Sequence, residues 1–350
     1  MNNSSSKKLD LSNSQLIEYQ SNPGYISFFR DLTNDSYSSV YSVNAFSIFK
    51  SINNVLYLIY TISNNSIISF NIIRNEEINE IKNAHNKNIT YFKHYLDDIN
   101  KRDLIMSIST YDNNIKIWDI YNWENILDIK KVNNLGRLYS ASFLKDNNNI
   151  YIITSNDYII SEKIKVYDLK GNKIKEINDS NEPTFFIDIY YDDKLNKNYI
   201  ISGNESYIKS YDYEINKVYN IYNSQDNNYH SDIIIYDKEK IIKLIESSWD
   251  GNIRIWSFHS GELLNTIQIC TEDSLLCIDL WNRDYLFVGC SDKTIKLIDL
   301  KIGRTIKNLQ NYNDSIITIK KFKHPDFGEC LISQGFQNEQ IKLWKLAINF

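Results

Sequence analysis

The run Asn252-Ile253-Arg254-Ile255-Trp256-Ser257 alternates polar and apolar side chains, the period-2 pattern of a β-strand. Trp249-Asp250-Gly251-Asn252 ahead of it reads as a tight turn, because Gly251 can take a positive φ with no Cβ to clash. His259-Ser260-Gly261-Glu262 behind it reads as a second turn, and Leu263 to Ile267 as the start of a further strand. The unit is strand, turn, strand, with no room for a helix.

Copies of this unit recur along the chain. Thr110 to Ile129 places Asp112 six residues before Trp118, as Asp250 precedes Trp256, and Cys290 to Leu309 places Asp292 six before Ile298. Asn338 precedes Trp344 and Asn64 precedes Phe70 by the same six, and looser copies cover Ser161 to Ile177 and Gly203 to Ile221. The residue after the aromatic or its substitute is Asn71, Asp119, Asp168, Asp212, Ser257, Asp299 and Lys345, and successive subtraction gives intervals of 48, 49, 44, 45, 42 and 46. Repeats of that length with four strands each are the mark of propeller blades. The expected fold is therefore all-β, a single seven-bladed β-propeller with four antiparallel strands per blade.

Composition supports this. The 350 residues are 42% hydrophobic and 13% aromatic, with 26 tyrosines that favour strands. Only 10 Gly and 3 Pro are available for many turns, so Asn must stand in for Gly at left-handed positions. A net charge of −5, from 39 basic and 44 acidic residues of interspersed sign, argues against a nucleic-acid partner. The lysines of 165–175 and 320–323 read as solvated outer faces of strands. No apolar run reaches the ~20 residues that span a bilayer, and residues 1–24 read as a polar, flexible tail ahead of a propeller over 25–350. Cys270, Cys277, Cys290 and Cys330 form no C-x-x-C pair and read as buried free thiols. An intracellular, cytoplasmic chain with no membrane contact is expected, nuclear residence remaining open.

These repeats resemble the WD-repeat β-propellers, over nearly the whole of residues 25–350. The resemblance implies a structural tetrad of His, Ser or Thr, Asp and Trp in a blade. It assigns His230, Ser248, Asp250 and Trp256 to blade five, and His85, Thr110, Asp112 and Trp118 to blade two. The other blades depart from the pattern: six and seven have no His before their first strand, and blade four carries Glu205 in place of Asp. Blade three has an insertion, Asn156 to Lys163. The resemblance also implies that an N-terminal strand completes the last blade. Gly24 to Leu32, ahead of a first strand over Val40 to Ile48, is the expected candidate.

No catalytic constellation stands out, and no enzyme, metal or cofactor is expected. His230, Ser248 and Asp250 fit the structural relay better than a hydrolase triad, for there is no G-x-S-x-G elbow and no phosphate-binding Gly-rich loop. The resemblance implies a non-catalytic scaffold that binds peptides or proteins on the narrow face, as a subunit of a larger complex. Carried onto this chain, its contact positions are Tyr111, Trp249, Ser291, Gln337 and Asn204 before the turn, and Asn88, Arg137, Thr184, Asp232, Ser274 and Ser315 opening the innermost strand. Trp249 and Tyr111, large aromatics in turns, are the expected anchors. The alternative is a small-ligand or catalytic propeller, which needs polar groups converging on the central channel. No convergent pair of carboxylates or histidines is expected there.

Overall fold

The computed structural model describes residues 45–61, 65–132, 137–155, 164–177, 183–223, 229–310, 312–336 and 341–344 in full, with the backbone alone of 8–11, 14–18 and 345–348. The described strands fall into seven antiparallel sheets, six of four strands and one of five, with no helix among the described residues. Strands are lettered a to d from the axis outward. Blade one runs from Phe46 to Ile81, two from Tyr91 to Ile129, three from Ala141 to Ile177 and four from Phe186 to Tyr222. Blade five spans His230 to Gln268, six Leu275 to Gln310, and seven begins at Ile316. Each a strand contacts the next around the ring, and that of blade seven contacts that of blade one. The fold is an all-β, seven-bladed propeller.

Seven apolar clusters hold it together, and each lies between two adjacent blades. Phe46, Leu58 and Phe70 of blade one pack on Phe322, Ile332 and Leu343 of blade seven, so the same interdigitation that joins neighbours also shuts the ring. With the core distributed between blades, the axis is left to polar groups.

Blade seven takes its a, b and c strands from Ile316–His324, Gly328–Gly335 and Ile341–Ile348, and its fourth from Ser14–Glu18. Lys8–Leu11 adds a fifth outside it. An N-terminal strand does complete the last blade, but it comes from the segment expected to be a polar tail. Gly24 to Leu32 lies outside the described residues, as does the blade-three insertion. The first a strand is Phe46–Lys50.

Local chemistry explains the turns. Asn takes a positive φ at positions 54, 65, 75, 83, 113, 147, 196 and 216, replacing glycine as the composition requires. Gly251 is a true requirement: its φ is +80° and a Cβ there would sit 2.1 Å from the Cys270 carbonyl oxygen. The residue ending strand c caps the following turn. Asp119 accepts from the Tyr121 N–H, Asp168 from Lys170 and Asn172, Asp212 from Glu214 and Ile215, and Asp299 from Lys301 and Ile302. In blades one to six the c–d pairing shifts register beside the aromatic position, for example between Ile255 and Trp256. Such bulges raise the local twist.

Candidate functional site

Register decides which hydroxyl meets each tryptophan. In blade two Trp118 faces Ile105 on strand b, and two residues on stands Ser107. The Trp118 indole N–H donates to Ser107 Oγ at 2.8 Å, and His85 Nε2 lies 2.7 Å from the same oxygen. Asp112 accepts from the Lys87 N–H at 2.9 Å and so pins the turn to the d–a connection. Three members of the relay are linked, with Ser107 in the place expected of Thr110, while His85 Nδ1 finds no hydrogen-bond partner among the described residues and Asp112 stays outside the chain of bonds; Thr110 instead bonds Thr90. Blade seven has a version that sequence spacing missed: Trp344 donates to Ser333 at 2.7 Å, and the Tyr312 hydroxyl takes the place of histidine at 2.5 Å.

Blade five departs from expectation. Trp256 faces Leu244, so the position two residues on is Glu246, not Ser248. Ser248 Oγ donates to the Tyr229 carbonyl instead. The wholly buried Glu246 carboxylate lies 2.9 Å from His230 Nδ1 and 3.4 Å from the Arg254 guanidinium, which also grips Asp250. The Trp256 N–H finds no hydrogen-bond partner among the described residues. The blade-five relay is thus a largely buried ion-pair network.

Burial, reinforced by Lys116, depresses the His85 imidazole from 6.5 to about 3. The folded ring refuses a proton that the unfolded one takes near pH 6.5, so this stability is complete above that pH and is lost as pH falls toward the folded value. Between pH 7 and 5 the protein should lose about 2 kcal/mol more than a His85→Gln variant. Urea unfolding at both pH values measures this, and equal losses would mean that His85 does not stay neutral.

The remaining histidines are also engaged. His94 Nε2 lies 2.7 Å from Asp103, His259 lies 3.0 Å from Asp192 and 3.1 Å from the Tyr219 hydroxyl, and His324 Nδ1 accepts from the Asp326 N–H. Among the described residues no group of three His, Cys, Asp or Glu is placed to hold a metal ion.

The b–c turns and d–a connections share one end of the ring, and there the expected contact residues divide. Trp249 and Tyr111 are exposed, at 48% and 45%. Arg137 is exposed and lies over the Tyr111 ring, 5.1 Å from its centroid. Thr184 and Asn204 are buried, while Gln337 lies outside the described residues. Asp232 faces the channel instead of the rim. The structure adds three rings that spacing arguments passed over, Tyr139, Phe185 and Tyr229, each just ahead of an a strand. Ring centroids run 5.8 Å from Tyr139 to Phe185, 5.2 Å on to Tyr229 and 4.6 Å on to Trp249. The arc crosses blades three, four and five. Tyr229 is fixed by a 2.9 Å hydrogen bond from its hydroxyl to Glu205.

Below this arc the a strands enclose a central channel of about 490 Å³, with Tyr139, Phe185 and Phe336 among its lining. Polar groups do converge within it, contrary to expectation. Lys93 donates to Asp188 at 2.9 Å across the ring. Asp232 accepts from the N–H groups of Ile233 and of Ile278 in the next blade. Burial pushes the Asp232 carboxyl above the usual range against the pull of Lys320. For Lys93 burial acts downward, but Asp188 outweighs it and the ammonium is held above its ordinary value. These residues come from separate blades, so only ring closure brings them together.

Among the described residues no helix is long and apolar enough to cross a membrane. No protein-family model matches this chain, and no curated protein matches it.

Proposed function

We propose that this chain is a WD-repeat propeller that serves as a non-catalytic interaction scaffold, taking a peptide or protein partner on the face of its b–c turns and d–a connections. The observation that carries this is the continuous aromatic arc Tyr139–Phe185–Tyr229–Trp249, flanked by the Arg137–Tyr111 stack. Partly exposed aromatic rings held by their neighbours, with Trp249 the most open of the arc, offer contact area with little side-chain entropy left to lose, which is how interface anchors work. Exposed Arg137 and the Glu205 carboxylate at Tyr229 add polar groups beside the rings. The burial of His230 and Glu246, with the Arg254 guanidinium between Glu246 and Asp250, supports a structural role for the charged residues of blade five.

The test is affinity purification with mass spectrometry from the native cell, comparing the wild type with Trp249→Ala plus Tyr111→Ala. Partners should fall at least about tenfold in the double variant, since truncating an interface anchor costs ~1–2 kcal/mol or more. Tyr121→Ala, in a c–d turn at the opposite end and 84% exposed, should leave them unchanged. An unchanged partner list, with circular dichroism showing the fold intact, would remove this face from the proposal.

A further inference from the structure

We infer that the central channel is a binding site for a small anion bearing a carboxylate or phosphate group, held first by the Lys320 ammonium and second by Lys93. The inference is independent of what docks on the outer face.

Register places the charges. Lys93 faces Met106, Asp188 faces Ile201, Asp279 faces Phe287 and Lys320 faces Ile332 on their respective b strands. Each partner immediately precedes the residue at the level of the tryptophan's hydroxyl: Ser107, Ser202, Val288 and Ser333. The four charged residues therefore stand on one level of the ring, on blades two, four, six and seven. Asp232 faces Ser247, one pleat nearer the aromatic mouth.

The acceptors at and near this level are already engaged. Asp188 receives Lys93 and the Ile189 N–H, Asp232 receives two backbone N–H groups, and Asp279 receives the Lys321 N–H. The Lys321 ammonium turns away to Glu329 at 2.9 Å and to the Trp281 carbonyl. Lys320 is different. It lines the channel, and no described carboxylate lies within ion-pairing distance of its ammonium. Asp232 and Asp279 act on it only at longer range, and Lys93 repels it. Three N–H donors thus face the solvent-accessible channel with no acceptor among the described residues to meet them. An anion there would gain charge-assisted hydrogen bonds where surrounding protein weakens solvent screening. A volume of about 490 Å³ suits a metabolite-sized ligand, which would enter past Tyr139, Phe185 and Phe336.

Isothermal titration calorimetry of the full chain with inorganic phosphate, and separately with citrate, at fixed ionic strength tests this. Saturable one-to-one binding of at least one anion is expected, and the preferred one distinguishes a phosphate from a carboxylate ligand. Lys320→Gln should weaken it at least tenfold and Lys93→Gln by less, while Lys238→Gln, on an exposed turn, should not change it. Non-saturating heats with both anions, or full affinity in folded Lys320→Gln, would overturn the inference. Should Lys320→Gln fail to fold, the wild type still decides. The bound anion should slow acylation of Lys320 severalfold by mass spectrometry, and an unchanged labelling rate would also overturn it.

Discussion

Glu246→Ala should destabilise the protein by about 3–5 kcal/mol, far more than trimming an ordinary buried polar group. Glu246 has no exposed surface and Arg254 is 2% exposed, so removing the carboxylate takes from an interior guanidinium one of the two carboxylates that grip it among the described residues. Arg254→Met should cost a similar amount for the mirror reason, stranding Glu246 beside His230. The double variant Glu246→Leu plus Arg254→Met should cost much less than the sum, because two apolar chains of similar length replace the pair without an orphaned charge. Urea unfolding of the wild type, Glu246→Leu, Arg254→Met and this double variant forms a double-mutant cycle. Single costs under about 1 kcal/mol, or strict additivity, would show that these charges do not depend on one another.

Removing residues 1–18 should abolish the soluble monomer. The edge of Ile341–Ile348 that pairs with Ser14–Glu18 would then stand open, and an unpaired edge beside an apolar strand is a template for association. A synthetic peptide covering residues 8–18, supplied during refolding, should restore monomeric protein in proportion to its concentration. Size-exclusion chromatography follows both effects. A truncated chain that remains monomeric with an unchanged melting temperature would show that this strand does not hold the ring.

How much of this could be read from the chain depends on how local each feature is. The Asp and Asn residues that end the c strands announced the repeat because a turn must be capped by its own neighbours, and those caps exist as expected. The identity of the hydroxyl under each tryptophan depends on register between two strands, so the residues adjoining the turn, Thr110 and Ser248, were plausible and incorrect. Glu246 could not be assigned by analogy, because a carboxylate occupies a hydroxyl's place and brings its own cation. The channel charges were invisible for a different reason: residues near 93, 188, 232 and 320 share no local pattern and meet only across the ring. The aromatic arc did leave a trace. Tyr139, Phe185 and Tyr229 are separated by 46 and 44 residues, close to the repeat, and counting aromatics ahead of each first strand would have found them.

The strand exchange in blade seven sets an order of events. Within blades one to six every strand pairs with a neighbour in sequence, so those sheets require only short loops to close. Leu16 faces Leu346, 330 residues later by subtraction. Joining ends so far apart costs about 3 kcal/mol more chain entropy than closing a ten-residue hairpin. That cost falls once the intervening blades have formed and brought the two ends near each other. During synthesis the N-terminal strand must therefore wait while six blades assemble beside it, and the ring is completed in a single late step.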